Sequence, residues 1–413
     1  MDRKIKVLWM GSVYFTEKKP DSTGTWSHSM AAGLVQSGEI ELFNITQAEV
    51  KSTIREDFSS IKQWVIPSSK LNRNGLPKKS IIREVIKITE EVKPDIIHIW
   101  GAESFWGLLK ARNYISGKVI LEIQGLKTEI YKYFYSGLTI KDIIATIGVR
   151  ELIKPSDSII KQKRSFRRWG EFEKEIIRSH SFINTQSEWV RKHVRNINKD
   201  ADLFETKMLL RDEFVNAVKW EYDSCQPYSV FTTFSSIVSY KGLHVLIDAI
   251  TILKKEFPTV QLNIAGSTGR QGFLGYGYYK WIKRRISETG IEENINWMGS
   301  INAEEIVRSL HSANVTVIPS FVESYCMALD EAIHVGTPTV ASFAGAMPEL
   351  GTHKRTVYYF QSGDSVMCAN AIGSFFRNRT FSEDVSLNAY NSRSANADKC
   401  NLQIGIYRKV LNK

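Results

Sequence analysis

Two glutamates eight residues apart, Glu323 and Glu331, stand in the stretch PSFVESYCMALDEAIHVGTPTVAS at residues 319–342. Carboxylates accept hydrogen bonds from neighbouring hydroxyls, which suits a sugar or a ribose. The run just before them, VTVIPS (315–320), reads as a buried strand ending at Pro319-Ser320. Ser324 is a good N-cap, which predicts a helix from Ser324 to about His334 with Gly336 as its stop. Glu323 would then lie just before a helix N-terminus, at the carboxyl end of a strand, where open α/β sheets bind ligands. The amides of Tyr325, Cys326 and Met327 would face an anion there. An acid in that place repels phosphate unless it holds something else, such as sugar hydroxyls. Glu331, two turns along, would accept from the two hydroxyls of a ribose. On spacing alone, a helix-stabilising acid and an unrelated surface acid account for the pair equally well.

Placing acids in this way takes alternating strands and helices. Short buried-strand candidates are KVLWM (6–10), DIIHIW (95–100), VILEIQ (119–124) and SFINTQ (181–186), then VQLNIAG (260–266), VTVIPS, PTVASF (338–343) and TVYYF (356–360). Several are almost continuously apolar, as strands covered on both faces should be. Between them KGLHVLIDAITILKKEF (241–257) sets Leu243, Leu246, Ile247, Ile250 and Leu253 on one helical face, with Pro258 as its end. The pattern predicts α/β architecture with parallel sheets. Residues 205–228 fit neither period and hold the junction between two groups of strands. The expected organisation is an N-terminal domain over 1–212, a C-terminal domain over 213–394 and a final helix over 395–413. That helix would carry Leu402, Ile406 and Val410 on one face. Residues 127–180 are long for one connection and read as helical insertions.

The bulk properties agree with this scheme. A chain of 413 residues exceeds one ordinary core, and 43% hydrophobic with 24% charged residues is a globular composition. No stretch approaches the roughly 20 apolar residues of a membrane span. The opening MDRKIKVLWMGSVYF reads as a first buried strand rather than a signal peptide. Cys225, Cys326, Cys368 and Cys400 are scattered, which points to a reducing compartment without structural zinc. The formal charge of +11 favours anionic partners. Its densest run, KQKRSFRRWGEFEKEIIRS (161–179), suits either a solvated helix face or a contact with anionic lipid or a lipid diphosphate, with Phe166 and Trp169 among the cations. No nucleic-acid-binding motif is present.

Taken together, PSFVESYCMALDEA, GTPTVAS and GAMPEL (345–350) resemble the E-x7-E region of retaining glycosyltransferases of the GT-B fold, family 4. The likeness extends to FSSIVSYKGLHVLIDAITILKKEFPTVQLNIAG (234–266) and WMGSINAEEIVRSLHSANVTVIPS (297–320), and more weakly to PDIIHIWG (94–101) and NTQSEWVRKHV (184–194). The resemblance implies two Rossmann-like domains facing across a cleft, with the tail helix crossing back to the N-domain. It implies transfer of a sugar from a nucleotide-diphosphate sugar to a glycan or lipid-diphosphate acceptor, with retention, without a metal or other cofactor. The acceptor hydroxyl would attack from the front face while the leaving phosphate takes its proton.

By the same resemblance, Glu323 contacts the sugar hydroxyls and the backbone of Ser324, Tyr325, Cys326 and Met327 holds sugar and distal phosphate. Glu331 binds the ribose and Lys241 neutralises the leaving diphosphate. Gly299 and Ser300 border the base. Three positions depart from the family. Ser235 stands where an arginine is usual, so either another cation substitutes or the diphosphate is held more by Ser235, Ser236 and the backbone. The N-terminal Gly-Gly loop is STGTWSHS (22–29), with Gly24, Thr25 and Trp26, and Gln124 replaces a histidine near the donor sugar. His28 and Glu103 are further candidates for the acceptor side, and His98 reads as core. Tyr276, Tyr278 and Tyr279 belong to a glycine-rich loop, either a flap or an ordered turn. The expected setting is the cytoplasm, at the inner face of a bacterial membrane, in surface polysaccharide synthesis. The alternatives are a catalytically degenerate scaffold that binds nucleotide sugar, or another GT-B enzyme such as a sugar-nucleotide epimerase or a phosphorylase.

Overall fold

The structure, a computed structural model, describes residues 3–17, 25–267 and 276–413, with Thr25 described by its backbone alone. In the N-terminal half the strands are β1 (Ile5–Met10), β2 (Ile40–Ala48), β3 (Ile54–Phe58), β4 (Ile61–Pro67), β5 (Ile96–Trp100), β6 (Val119–Glu122), β7 (Phe182–Thr185) and β8 (Asp202–Glu205). They form one sheet in the order β3-β4-β2-β1-β5-β6-β7-β8, parallel except for β3, which runs antiparallel to β4. The second sheet contains β9 (Ser229–Phe234), β10 (Gln261–Gly266), β11 (Ile295–Gly299), β12 (Val315–Ile318), β13 (Thr339–Phe343) and β14 (Tyr358–Gln361). Its order is β11-β10-β9-β12-β13-β14, all parallel. Strands such as IIHIW are buried along their whole length because helices cover both faces. The strand order reverses between β1 and β5 and again between β9 and β12. At each reversal the following loops diverge to opposite faces and leave a crevice beyond the strand ends.

Several local expectations are corrected. The helix read over 241–257 is Leu243–Leu253, ending before Pro258, and Lys241 lies in the 3-10 turn before it. In the tail helix Asn396–Leu411 the buried face is Cys400, Gln403, Ile404, Ile406, Tyr407 and Val410, whereas Leu402 faces solvent. This helix packs on the N-terminal sheet. The Tyr407 hydroxyl accepts from Trp9 Nε1 at 3.2 Å and pairs with His98 Nδ1 at 2.8 Å. His98 is fully buried, and that burial holds its pKa below the usual histidine value despite the opposing Glu122 carboxylate.

The segment 127–180 contains helices Lys127–Ile130, Ile140–Ala145, Val149–Ile153 and Ile159–Ser179. Buried Glu173 accepts from the Lys127 and Thr128 amides at 2.9 and 2.8 Å, which caps the first of these helices. Phe166 packs against Phe134 and Tyr240, and Trp169 Nε1 donates to the Ala102 carbonyl at 2.9 Å. Both aromatics therefore turn inward. The cations of 161–179 face solvent without them.

Candidate active site

The crevice between β9 and β12 opens into a cleft of about 310 Å³ bounded on its far side by the N-terminal domain. Lys241, Glu323, Glu331, Ser235, Ser300 and Ser324–Met327 line it from the C-terminal side, and Trp26 and Gln124 from the other. Lys241 Nζ donates to Glu323 Oε1 at 2.6 Å, and Ser320 Oγ donates to the same oxygen at 2.7 Å. Burial disfavours the Lys241 ammonium, but Glu323 and Tyr240 outweigh it and hold its pKa above the usual lysine value. Glu331 is buried and accepts from Arg211 Nη2 at 3.0 Å. Burial pushes the Glu331 carboxyl up, and the Arg211 guanidinium opposes the shift.

Two glycines make the convergence possible. Gly242 has φ +75, and a Cβ there would lie 2.0 Å from the Pro319 carbonyl oxygen. Gly345 has φ +55, and a Cβ there would lie 2.1 Å from the Glu323 carbonyl oxygen. Both positions demand a left-handed backbone in close contact with the loop that carries Glu323, which glycine alone meets without strain. The Ala346 amide then donates to the Glu323 carbonyl at 2.9 Å and fixes that loop.

The helix beyond Glu323 does not begin at Ser324. It spans Met327–Val335, with Cys326 as N-cap in a left-handed conformation at φ 92 and Gly336 as C-cap. Ser324 is withdrawn from capping because its hydroxyl donates to the Gln124 carbonyl at 2.6 Å, while its own carbonyl accepts from Ser187 Oγ at 2.8 Å. Both partners belong to the N-terminal domain, so the loop spans the cleft and the helix starts one turn late. The amides at the head of Met327–Val335 still open toward the cleft, as the first turn of any helix leaves them without intrahelical acceptors. Glu349 adds a second tie. Its carboxylate accepts from the Glu188 and Trp189 amides at 2.6 and 2.7 Å and so caps helix Glu188–Ile197 of the other domain.

The remaining sequence candidates fall in different places. Gly24 lies outside the described residues, as does the glycine-rich loop up to residue 275. Trp26 packs on Trp100 at 4.7 Å between ring centroids. His28 packs edge-on against Phe15 and lines a different cavity, bounded also by helix Thr25–Gln36 and the tail helix, so it is not beside Glu323. Ser236 faces an adjoining cavity, which Ser235 and Ser267 share with the cleft. Gly299 ends β11 at φ +70, and its neighbour Ser300 is the one that reaches the cleft. Glu103 does not line the cleft. Its carboxyl rests against Gly101 and Gly125, beneath Gln124, and burial together with Glu173 pushes its pKa up to about 7. Tyr278 is buried with its hydroxyl 2.8 Å from His244 Nδ1, and Tyr276 lies under the Arg150 guanidinium.

Arg211, Gln186, Met208 and Thr233 also line the cleft and were not singled out from the sequence. Arg211 belongs to the aperiodic junction, where a lone arginine before two acids carries no spacing signal. Its guanidinium covers the Phe214 ring at 4.9 Å and brings a second cation to a site from which the arginine at Ser235 is missing.

A sheet ordered about a switch point, with cations and carboxylates gathered beyond its strand ends, marks a ligand crevice of the open α/β kind, here closed by a second α/β domain. Residues 219–392 match the family described as Glycosyl transferases group 1. Among curated relatives, the D-inositol 3-phosphate glycosyltransferase of Streptomyces avermitilis is 26% identical over 156 residues, 38% of this chain and 32% of the relative. The amylovoran biosynthesis glycosyltransferase AmsK of Erwinia amylovora is 29% identical over 147 residues, 34% of each chain. The matches thus span about a third of these relatives' length. Over nearly the whole chain, the structure of Anabaena Alr3699/HepE in complex with UDP-glucose superposes with a TM-score of 0.67 at 14% identity, covering 99% of this chain and all of that one. The protein has the GT-B fold.

Proposed function

We propose that the protein is a retaining glycosyltransferase of family 4. It moves a sugar from a nucleotide-diphosphate sugar to a glycan or lipid-carried acceptor, without a metal, in bacterial surface polysaccharide synthesis. The observation that carries this reading is the meeting of Lys241, Glu323 and Glu331 at the β9/β12 crevice, inside the segment that matches Glycosyl transferases group 1. The polysaccharide setting is supported by the likeness to AmsK, whose name assigns it to amylovoran biosynthesis. The nucleotide-sugar donor is supported by the fold shared with a protein solved in complex with UDP-glucose.

In this reading Lys241 and the amides heading Met327–Val335 face the diphosphate, where negative charge grows as the glycosidic bond breaks. Glu323 accepts from the sugar hydroxyls, and Glu331, steadied by Arg211, accepts from the ribose. The C1–O bond to phosphate breaks, the C1–O bond to the acceptor forms on the same face, and the acceptor proton passes to the leaving phosphate. Arg211 supplies positive charge near a site whose Ser235 is neutral. That serine is also the feature that favours the second reading, a scaffold that binds donor without turnover.

The test is turnover in Lys241→Ala and Glu323→Gln, with circular dichroism as the folding control. Each substitution is expected to lower kcat by about 100-fold or more with the fold retained. Wild-type rates in both contradict the assignment. NMR of the product is expected to show the donor's anomeric configuration, and an inverted product contradicts retention.

A further inference from the structure

Helices Ile140–Ala145 and Val149–Ile153 of the 127–180 segment rest against helix Gly277–Thr289 of the C-terminal half and turn an apolar face outward. Ile140 is 77% exposed, Ile144 61%, Leu152 72% and Ile153 73%, and Ile147 is exposed beside them. Their spacing shows that this is a face rather than scatter. Ile140 and Ile144 lie one turn apart on the exposed side of the first helix and Ile147 follows just beyond its end, while Ile143 turns in against Phe134 and Ile159. The fold thus uses the edge of this helix that carries Ile143 for its core and leaves Ile140 and Ile144 with nothing to cover. Isolated exposed aliphatics are ordinary, but a cluster on consecutive helices marks a contact surface.

Charge selects the contact. Segment 127–180 holds twelve Lys and Arg against seven Asp and Glu. Among the described residues Lys141, Lys161, Arg164 and Arg167 are exposed and make no ion pair, on the stripe's own helix and on the long helix that follows. Aliphatic side chains flanked by unpaired cations suit the boundary between anionic headgroups and acyl chains. We propose that the 140–153 prong docks this protein on an anionic lipid bilayer, its aliphatics entering the acyl boundary and its cations meeting the headgroups. The prong's inner side lines the cavity that adjoins the donor cleft through Ser235 and Ser267, with Thr146 and Glu151 among its walls. A docked prong would therefore hold that cavity close to the membrane surface. Only this last step rests on the proposed reaction, because vesicle binding is read without turnover.

The experiment is cosedimentation of the full chain with vesicles of phosphatidylcholine alone and of phosphatidylcholine with phosphatidylglycerol. Wild type is expected to bind the anionic vesicles only, and less at high salt. The exposed-site variant I140S/I144S/I147S/L152S/I153S is expected to partition about tenfold more weakly, with an unchanged melting temperature and unchanged transfer to a soluble acceptor. K141E/R164E/R167E is expected to lose the preference for anionic vesicles. Wild type remaining in the supernatant, or both variants binding as wild type does, overturns the proposal. So does self-association of wild type that the serine variant abolishes in the absence of vesicle binding, since the stripe would then meet a second copy.

Discussion

Lys241 and Glu323 neutralise each other at 2.6 Å, so in the proposed reaction an entering diphosphate competes with Glu323 for the same ammonium. The exchange frees the carboxylate for sugar hydroxyls, which couples the two halves of donor recognition. Glu331 is held instead by Arg211, and in the proposed function its part is binding rather than bond breaking. Glu331→Gln is therefore expected to raise the donor KM about tenfold with little change in kcat; steady-state kinetics decide, and an unchanged KM contradicts the role. Glu103 carries a pH signature. Its pKa of about 7 in the folded state exceeds the ordinary carboxyl value, so the native state holds an extra proton between those two values. Stability is then expected to fall as pH rises from about 4.5 through 7, and Glu103→Gln to remove that slope. Thermal melts across the range would show it. At this scale the sequence revealed the two glutamates and the lysine because they sit in motifs. Arg211 stayed hidden because it reaches the site from an aperiodic linker by folding alone.

At the scale of elements, the site depends on loops that approach closer than side chains allow. Gly345→Ala sets a Cβ 2.1 Å from the Glu323 carbonyl in a left-handed conformation. Such strain costs about 1–3 kcal/mol before any clash is counted. The substitution is expected to lower stability in urea by at least about 2 kcal/mol and to displace Glu323, with a matching loss of turnover; a fully active, equally stable variant contradicts the packing argument. Strands β1, β5, β6, β7, β10, β12, β13 and β14 were legible, whereas β3, β8, β9 and β11 were not, and neither were β2 and β4. Asn44 and Gln63 stand in their interiors and tie down the loop after β1, Gln63 bonding Phe15 and Asn44 bonding Val13. Those buried polar residues break the apolar run that marks a core strand. The late helix start has a similar origin, since Ser324 has the chemistry of an N-cap but spends its hydroxyl on the other domain.

For the whole molecule, the two α/β units are joined by polar ties in two places: Ser324 with Gln124 and Ser187 and Glu349 with helix Glu188–Ile197, and, from the 127–180 segment, Phe134 with Ser239, Ser136 with His244 and Glu151 with Gly277. Two domains facing across a ligand cleft are expected to open and close around a ligand. Glu349→Ala removes a helix cap worth about 1 kcal/mol and an interdomain tie together. Calorimetry is expected to show a broader or split unfolding transition, whereas a single sharp peak at the wild-type temperature contradicts the clasp. None of the helices among the described residues is long and apolar enough to cross a membrane. The most direct check on the central claim is the melting temperature of wild type and Lys241→Ala with UDP, GDP, ADP and CMP and their sugars. One nucleoside-diphosphate series is expected to raise the wild-type midpoint by about 5–10 °C near 100-fold over Kd and to leave Lys241→Ala almost unmoved. No shift with any nucleotide, or an equal shift in both proteins, would contradict a diphosphate resting between Lys241 and the head of helix Met327–Val335.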